Sequence, residues 1–130
     1  MKKLEKDKIY FGIIGCGAVA HMHARAIKAI KGAELKAVAD VDIARARSFA
    51  QRHEVEKYYG DYRELLRDES IDIVNICTPS GLREEIVIDS ARAGKHIIAE
   101  KPVEVTLERI DRMIAECNKY DVALAGDRKS

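Results

Sequence analysis

The hydrophobic pattern of the chain changes period repeatedly between that of a strand and that of a helix. Short runs rich in β-branched residues alternate with longer stretches in which apolar residues recur at helical spacing. The strands that this pattern predicts are residues 9–14, 35–39, 57–59, 71–77, 96–99 and 122–125. The predicted helices are residues 18–31, 43–53, 62–67, 82–93 and 107–120.

Alternating strands and helices are typical of a parallel sheet, because parallel strands need helical crossovers that then cover both faces. The nearly continuous apolar runs 73–77 and 96–99 fit strands buried on both faces. The predicted fold class is α/β, a doubly wound parallel sheet of the Rossmann type. At 130 residues the chain has the length of a single domain, with an ordered core expected at about 8–125.

Composition and charge exclude several classes of protein. Lys plus Arg (23) nearly balance Asp plus Glu (22), so we expect no nucleic-acid partner and no anionic membrane partner. The sequence holds no apolar run long enough for a membrane span, and its Lys-rich start leads into only a short apolar stretch without a small-residue cleavage site. We therefore expect neither membrane insertion nor secretion. Its three cysteines (Cys16, Cys77 and Cys117) have no metal-ligand spacing, which predicts no metal site and favours a reducing, cytoplasmic setting.

The turn between the first predicted strand and the first predicted helix carries the pattern GxGxxA. In dinucleotide-binding folds the first glycine permits a tight turn, the second admits a pyrophosphate, and the small third residue lets the helix approach the sheet. Backbone N–H groups at the helix N-terminus would meet the phosphates. A tight turn without a ligand is the alternative. The pattern comprises Gly15, Cys16, Gly17, Ala18, Val19 and Ala20.

Cys16 stands at a helix N-terminus, which would lower the pKa of its thiol. We interpret it as filling the variable position of the turn.

Asp40 closes the second predicted strand, where an acid accepts hydrogen bonds from an adenosine ribose. Its carboxylate would repel a 2′-phosphate, which favours NAD over NADP, although Arg45 and Arg47 lie near enough to soften that preference. Alternatively, Asp40 or Asp42 only N-caps the second helix, and Asp42 suits that role better.

Thr78, Pro79 and Ser80 follow the fourth predicted strand, at the carboxyl edge where open α/β sheets bind ligands. Their backbone and hydroxyls would line the dinucleotide. The alternative is that Pro79 only ends the strand and Ser80 only caps the next helix.

Glu100, Lys101 and Pro102 follow the fifth predicted strand at the same edge. A lysine there would meet substrate or nicotinamide, whereas the alternative is an exposed Glu100–Lys101 salt bridge.

These motifs, together with Ala-Gly-Lys-His at 93–96, resemble the Gfo/Idh/MocA oxidoreductases over about residues 8–125. The resemblance implies an NAD(P)-dependent enzyme that transfers hydride to or from a sugar, polyol or sugar-nucleotide carbon. It also implies that Lys101 is catalytic and donates a hydrogen bond to the reacting oxygen. The expected cofactor-binding residues are Gly15, Cys16, Gly17, Ala18, Val19, Ala20, Asp40, Thr78, Pro79, Ser80, Glu100 and Lys101.

Two residues need separate comment: Arg83 departs from the family pattern, and His23 matches it without pointing clearly to a ligand contact. The family commonly has histidine where Arg83 stands, so contacts of that histidine do not transfer. We interpret Arg83 as a solvated helix residue, with a phosphate or an acidic substrate as its alternative partner. His23 matches a family histidine, but helix packing explains it equally well.

Family members continue into a second α/β domain that forms the substrate cleft, whereas this chain stops near the sixth strand. We therefore expect a dinucleotide-binding domain over residues 1–130 that binds NAD(H) without turning over a sugar or polyol by itself. The alternative function is a stand-alone NAD(H)-binding module that acts by dimerising or docking, and both hypotheses leave room for a homo-oligomer. A third hypothesis, a SAM-dependent methyltransferase, ranks low because it does not account for the Glu-Lys-Pro turn after the fifth predicted strand.

Overall fold

The structure, a computed structural model, describes residues 8–99 and 124–126, without the side chains of Ser80 and 124–126. The predicted helix 107–120 lies outside these residues. The elements described are β1 (Ile9–Ile14), α1 (Ala18–Ala29), β2 (Ala33–Ala39), α2 (Ile43–Arg52), β3 (Lys57–Tyr59), α3 (Tyr62–Leu66), β4 (Ile73–Ile76), α4 (Ser80–Arg92), β5 (His96–Ala99) and β6 (Leu124–Gly126).

The strands form one parallel sheet in the order β3-β2-β1-β4-β5-β6. The predicted doubly wound Rossmann-type fold is therefore confirmed. At the end of the central strand β1, Ile14 is paired with Ala39 of β2 on one side and Ile76 of β4 on the other. The carboxyl ends of these three strands consequently lie side by side.

Two hydrophobic cores cover the two faces of the sheet. The neighbouring residues Ile13 and Ile14 of β1 point to opposite faces, as the alternation of a strand requires. The core beneath α1 and α2 includes Ile13, Ala20, Ile27, Val38 and Phe49. The core beneath α3 and α4 includes Ile14, Leu65, Val74, Ile76 and Val87.

The helix ends refine the predicted boundaries near the carboxyl edge. Asp42 N-caps α2, since its side chain accepts hydrogen bonds from Ala44 N (3.1 Å) and Arg45 N (3.3 Å), as expected. Helix α4 begins at Ser80 rather than at 82, and Pro79 is its N-cap residue. The alternative in which Ser80 caps this helix is therefore wrong, because Ser80 is already its first helical residue.

At the opposite edge of the sheet, α1 ends before Ile30, which has extended backbone angles (φ −91°, ψ 121°), instead of continuing to 31. Lys95 is buried there and donates hydrogen bonds to the carbonyls of Asp68 (2.7 Å) and Ile71 (2.9 Å). The lysine of the Ala-Gly-Lys-His segment thus holds the α3–β4 connection against the start of β5.

In the described ranges no helix combines the length and apolarity needed to cross a bilayer.

Candidate functional site

A cleft of about 590 Å³ opens where β1, β2 and β4 end. The glycine turn lies between a side formed by the start of α2 and a side formed by α3 and α4. Most of the site residues predicted within the described chain meet in this cleft. Its lining includes Gly15, Cys16, Gly17, Ala18, Val19, Asp40, Val41, Arg45, Tyr62, Arg63, Cys77, Thr78, Pro79, Leu82, Glu85 and Ile86.

Gly15 is a glycine that the fold itself requires. Its φ of +95° lies in the left-handed region, which side chains disfavour. A Cβ there would also lie 2.9 Å from both the carbonyl carbon of Cys77 and the amide nitrogen of Thr78. The turn can therefore pack on the end of β4 only with glycine at this position.

Gly17 differs, because nothing in the described fold requires a glycine there. Its backbone is extended (φ −82°, ψ −165°), and no described atom lies within 4 Å of the place a Cβ would take. Gly17 N-caps α1 without a side-chain hydrogen bond, and the first turn of α1 holds no acidic residue. The positive end of the α1 dipole therefore lies beside open space that a side chain at Gly17 would fill.

Asp40 ties the end of β2 to the glycine turn. Its side chain is 7% exposed, its Oδ2 accepts a hydrogen bond from Cys16 N, and its Oδ1 accepts one from Asp42 N, both at 2.8 Å. A carboxylate has about four acceptor positions, so capacity for a ribose diol remains. The Arg45 Nη1 lies 3.8 Å from Asp40 Oδ2, on an exposed side chain.

The remaining residues of the glycine motif divide between cleft and core. Cys16 is 2% exposed and its Sγ lies 3.5 Å from the Ala39 carbonyl oxygen. Burial raises the pKa of the thiol to about 12, so the expected lowering by the helix N-terminus is wrong. Ala18 and Val19 line the cleft, whereas Ala20 is fully buried in the core beneath α1, where it permits close helix–sheet packing.

Thr78 and Pro79 form the side of the cleft at the end of β4. Below them, Arg83 is only 4% exposed and its Nη2 donates a 2.7 Å hydrogen bond to the Thr78 carbonyl oxygen. The interpretation of Arg83 as a solvated helix residue is therefore wrong: its guanidinium turns back under the Thr78–Pro79 turn instead of entering water.

Sequence reasoning missed the contribution of α3 to the cleft. Tyr62 Oη donates a 2.5 Å hydrogen bond to Asp89 Oδ2 of α4, and the Arg63 guanidinium lies 4.8 Å from the centre of the Tyr62 ring. Burial, reinforced by the bond to Asp89, raises the pKa of Tyr62, so the phenol stays protonated. No local pattern signals this contact, because it depends on how α3 and α4 pack.

The histidines of α1 make contacts between elements and are not among the cleft residues. The Nδ1 of His21 lies 2.7 Å from the Nε2 of His53, the C-cap residue of α2, and both rings pack on Phe49. The Nδ1 of His23 lies 2.8 Å from the side-chain nitrogen of Asn75 of β4. These contacts fit the packing interpretation of His23.

The predictions for Glu100 and Lys101 fall on residues outside those that the structure describes. The prediction for the hydroxyl of Ser80 likewise falls on a side chain that is not described. Strand β5 ends at Ala99, which is paired with Ile76 of β4. The catalytic assignment of Lys101 stays a prediction.

A glycine turn at the carboxyl edge of a parallel sheet with this strand order defines the Rossmann class of folds. Residues 9–126 match the GFO_IDH_MocA family, an oxidoreductase family with an NAD-binding Rossmann fold. The chain belongs to this Gfo/Idh/MocA family, which confirms the resemblance seen in the sequence.

Individual relatives agree with this family. The chain is 41% identical over 113 residues to a myo-inositol 2-dehydrogenase of Thermotoga maritima, covering 87% of this chain and 34% of that protein. A 3-ketoreductase structure from Actinomadura kijaniata, in complex with TDP-benzene and NADP, is similar with a TM-score of 0.86 and 30% identity (92% of this chain, 37% of that one).

A scyllo-inositol dehydrogenase structure from Lactobacillus casei, with bound NAD(H) and scyllo-inositol, gives a TM-score of 0.84 and 27% identity. The match covers 92% of this chain and 36% of that chain. The chain thus spans about a third of the length of the curated relatives it matches.

Proposed function

We propose that this chain is the cofactor-binding part of a dehydrogenase that acts on a polyol, sugar or sugar-nucleotide carbon, and that it prefers NAD. The observation that carries the binding proposal is the open space at Gly17. The fold demands a glycine at Gly15 but not at Gly17, so a bound group in the cleft is the physical reason for the second glycine.

The residues around that space suit a dinucleotide. Gly17 and the first turn of α1 would hold the pyrophosphate, and Asp40 would accept the hydroxyls of the adenosine ribose. Bound NAD would supply a hydride acceptor. The preference for NAD over NADP rests on the buried carboxylate of Asp40, against which the exposed Arg45 is the competing group.

The activity is proposed by similarity to relatives of known substrate. The Thermotoga maritima relative is a myo-inositol 2-dehydrogenase, and the Lactobacillus casei structure holds scyllo-inositol. Since these relatives are about three times as long as the matched segment, we propose that further polypeptide is needed to position the substrate. Lys101 would then donate a hydrogen bond to the reacting oxygen.

Calorimetric titration with NADH tests the binding proposal. The wild-type chain should bind, and Gly17→Val should lose at least about tenfold in affinity because its side chain occupies the pyrophosphate position. Gly60→Ala is the matched control: Gly60 is not among the cleft residues, and a Cβ there makes only ordinary contacts with Ile43. Equal NADH affinity in wild type and Gly17→Val would reduce the glycine motif to a plain turn.

A further inference from the structure

Arg83 has no role in the function proposed so far, although its position is unusual for an arginine. It is buried in the first turn of α4, where the positive end of the helix dipole disfavours a cation. Burial of a guanidinium also costs desolvation free energy. An arginine at this position therefore calls for an explanation other than helix stability.

The contact that Arg83 makes bears directly on the cleft. Its Nη2 holds the Thr78 carbonyl oxygen at 2.7 Å from the α4 side. A Cβ at Gly15 would lie 2.9 Å from Thr78 N and 3.0 Å from Thr78 Cγ2, so the glycine turn already touches this residue. Thr78 is thus in contact with both Arg83 and the glycine turn.

The strand order indicates which half of a dinucleotide would contact the turn that Arg83 holds. Asp40 follows β2, and Thr78 follows β4, on the opposite side of β1. With the adenosine ribose at Asp40 and the pyrophosphate over the glycine turn, the Thr78–Pro79 turn faces the half that carries nicotinamide. A shift of this turn would disturb that half while the adenosine half stays in place.

We propose that Arg83 is a positioning residue, which acts through the Thr78 carbonyl to hold the Thr78–Pro79 turn against the nicotinamide half of the bound dinucleotide. The planar guanidinium has a fixed fork of donors, which an ammonium group cannot reproduce. This inference rests on the proposed function, because it requires the cleft to bind a dinucleotide.

The test compares two ligands, NADH and ADP, by calorimetry on the same protein. ADP carries the adenosine ribose and the diphosphate but no nicotinamide. Arg83→Met should weaken NADH binding at least fivefold and leave ADP affinity within about twofold, with Arg83→Lys in between. A variant that only loosened the fold would lose affinity for both ligands. Arg92→Met, at the far end of the same helix, is the matched control and should change neither affinity.

Amide hydrogen exchange of the free protein gives a second measurement. In Arg83→Lys we expect residues 78–82 to exchange several-fold faster, with α2 unchanged, and this variant also serves if Arg83→Met does not fold. Equal losses of affinity for ADP and NADH would overturn the proposed role of Arg83, and so would unchanged affinities together with unchanged exchange. Neither result would overturn the proposed function. A wild-type chain that binds neither ligand would instead overturn the proposed function and, with it, this inference.

Discussion

The carboxylate of Asp40 and the backbone amide of Cys16 are joined by a 2.8 Å hydrogen bond. The residue proposed to select the cofactor therefore also fixes the turn that would hold its phosphates. Cofactor preference and local stability are coupled at this position, and a substitution there should change both.

Asp40→Asn should reveal this coupling. An asparagine has one carbonyl oxygen for two backbone donors, Cys16 N and Asp42 N, so we expect a loss of about 1–3 kcal/mol in the free energy of unfolding. Removal of the charge should also lower the ratio of the NADPH Kd to the NADH Kd by about tenfold. Urea unfolding and calorimetry measure the two effects.

The control for that substitution is Asp42→Asn. Asp42 caps α2, and asparagine is an equally good N-cap, so neither stability nor the cofactor ratio should change much. An unchanged ratio in Asp40→Asn would mean that Asp40 serves the turn alone.

Gly15→Ala and Gly17→Ala should separate folding from binding. Gly15→Ala forces a side chain into left-handed backbone and against Cys77, so the free energy of unfolding should fall by more than about 2 kcal/mol. Gly17→Ala should cost about 1 kcal/mol or less, because only its N-cap preference changes. Thermal and urea unfolding of both variants give the comparison. Equal destabilisation would contradict the distinction between the two glycines.

Lys95→Met should destabilise the chain without changing the affinity for NADH. The substitution removes the ammonium donor of the partly buried Asp68 carbonyl and of the buried Ile71 carbonyl, at a cost of about 2–4 kcal/mol. Urea unfolding measures that cost, and NADH titration at a temperature where the variant is folded gives the second value. A tenfold loss of NADH affinity in the folded variant would place Lys95 in the binding machinery instead.

The His21–His53 pair should make the fold sensitive to mild acid. Burial, with the nearby cations Arg25 and Arg52, lowers the pKa of both imidazoles in the folded state. The unfolded chain then binds more protons as pH falls through about 6.5, so the free energy of unfolding should decrease from pH 7.5 to pH 5.

Urea unfolding at a series of pH values measures this decrease. Asp68 is a carboxyl group whose pKa is lowered by its hydrogen bonds to Ser70, against an opposing effect of burial, and its contribution to stability is lost only below about pH 4. The double variant His21→Gln with His53→Gln should flatten the profile between pH 7.5 and 5. A profile as steep as that of the wild type would assign the acid sensitivity to other groups.

The sequence alone predicts the sheet and the backbone positions of the site well, because each motif directly follows a strand of strong apolar pattern. Gly15, Asp40 and Thr78 are brought to one edge by the strand alternation alone. Contacts that depend on how helices pack were not predictable in the same way. The inward turn of Arg83 and the bond from Tyr62 to Asp89 join residues whose own segments give no periodic or spacing signal.

Because the sheet is parallel, the carboxyl ends of its strands, which carry the cleft, and their amino ends lie at opposite edges of the domain. The cleft opens at the carboxyl ends of the strands, while the turn after α1, with the exposed Ile30 and Lys31, lies at their amino ends. A biotin or fluorophore attached through Lys31→Cys, with Cys77 of the cleft and Cys117 replaced by serine so that neither is labelled, would hold the molecule on a sensor surface with its cleft facing the solution. Immobilised in this way, the chain could report free dinucleotide in real time, and the label would not compete for the pocket.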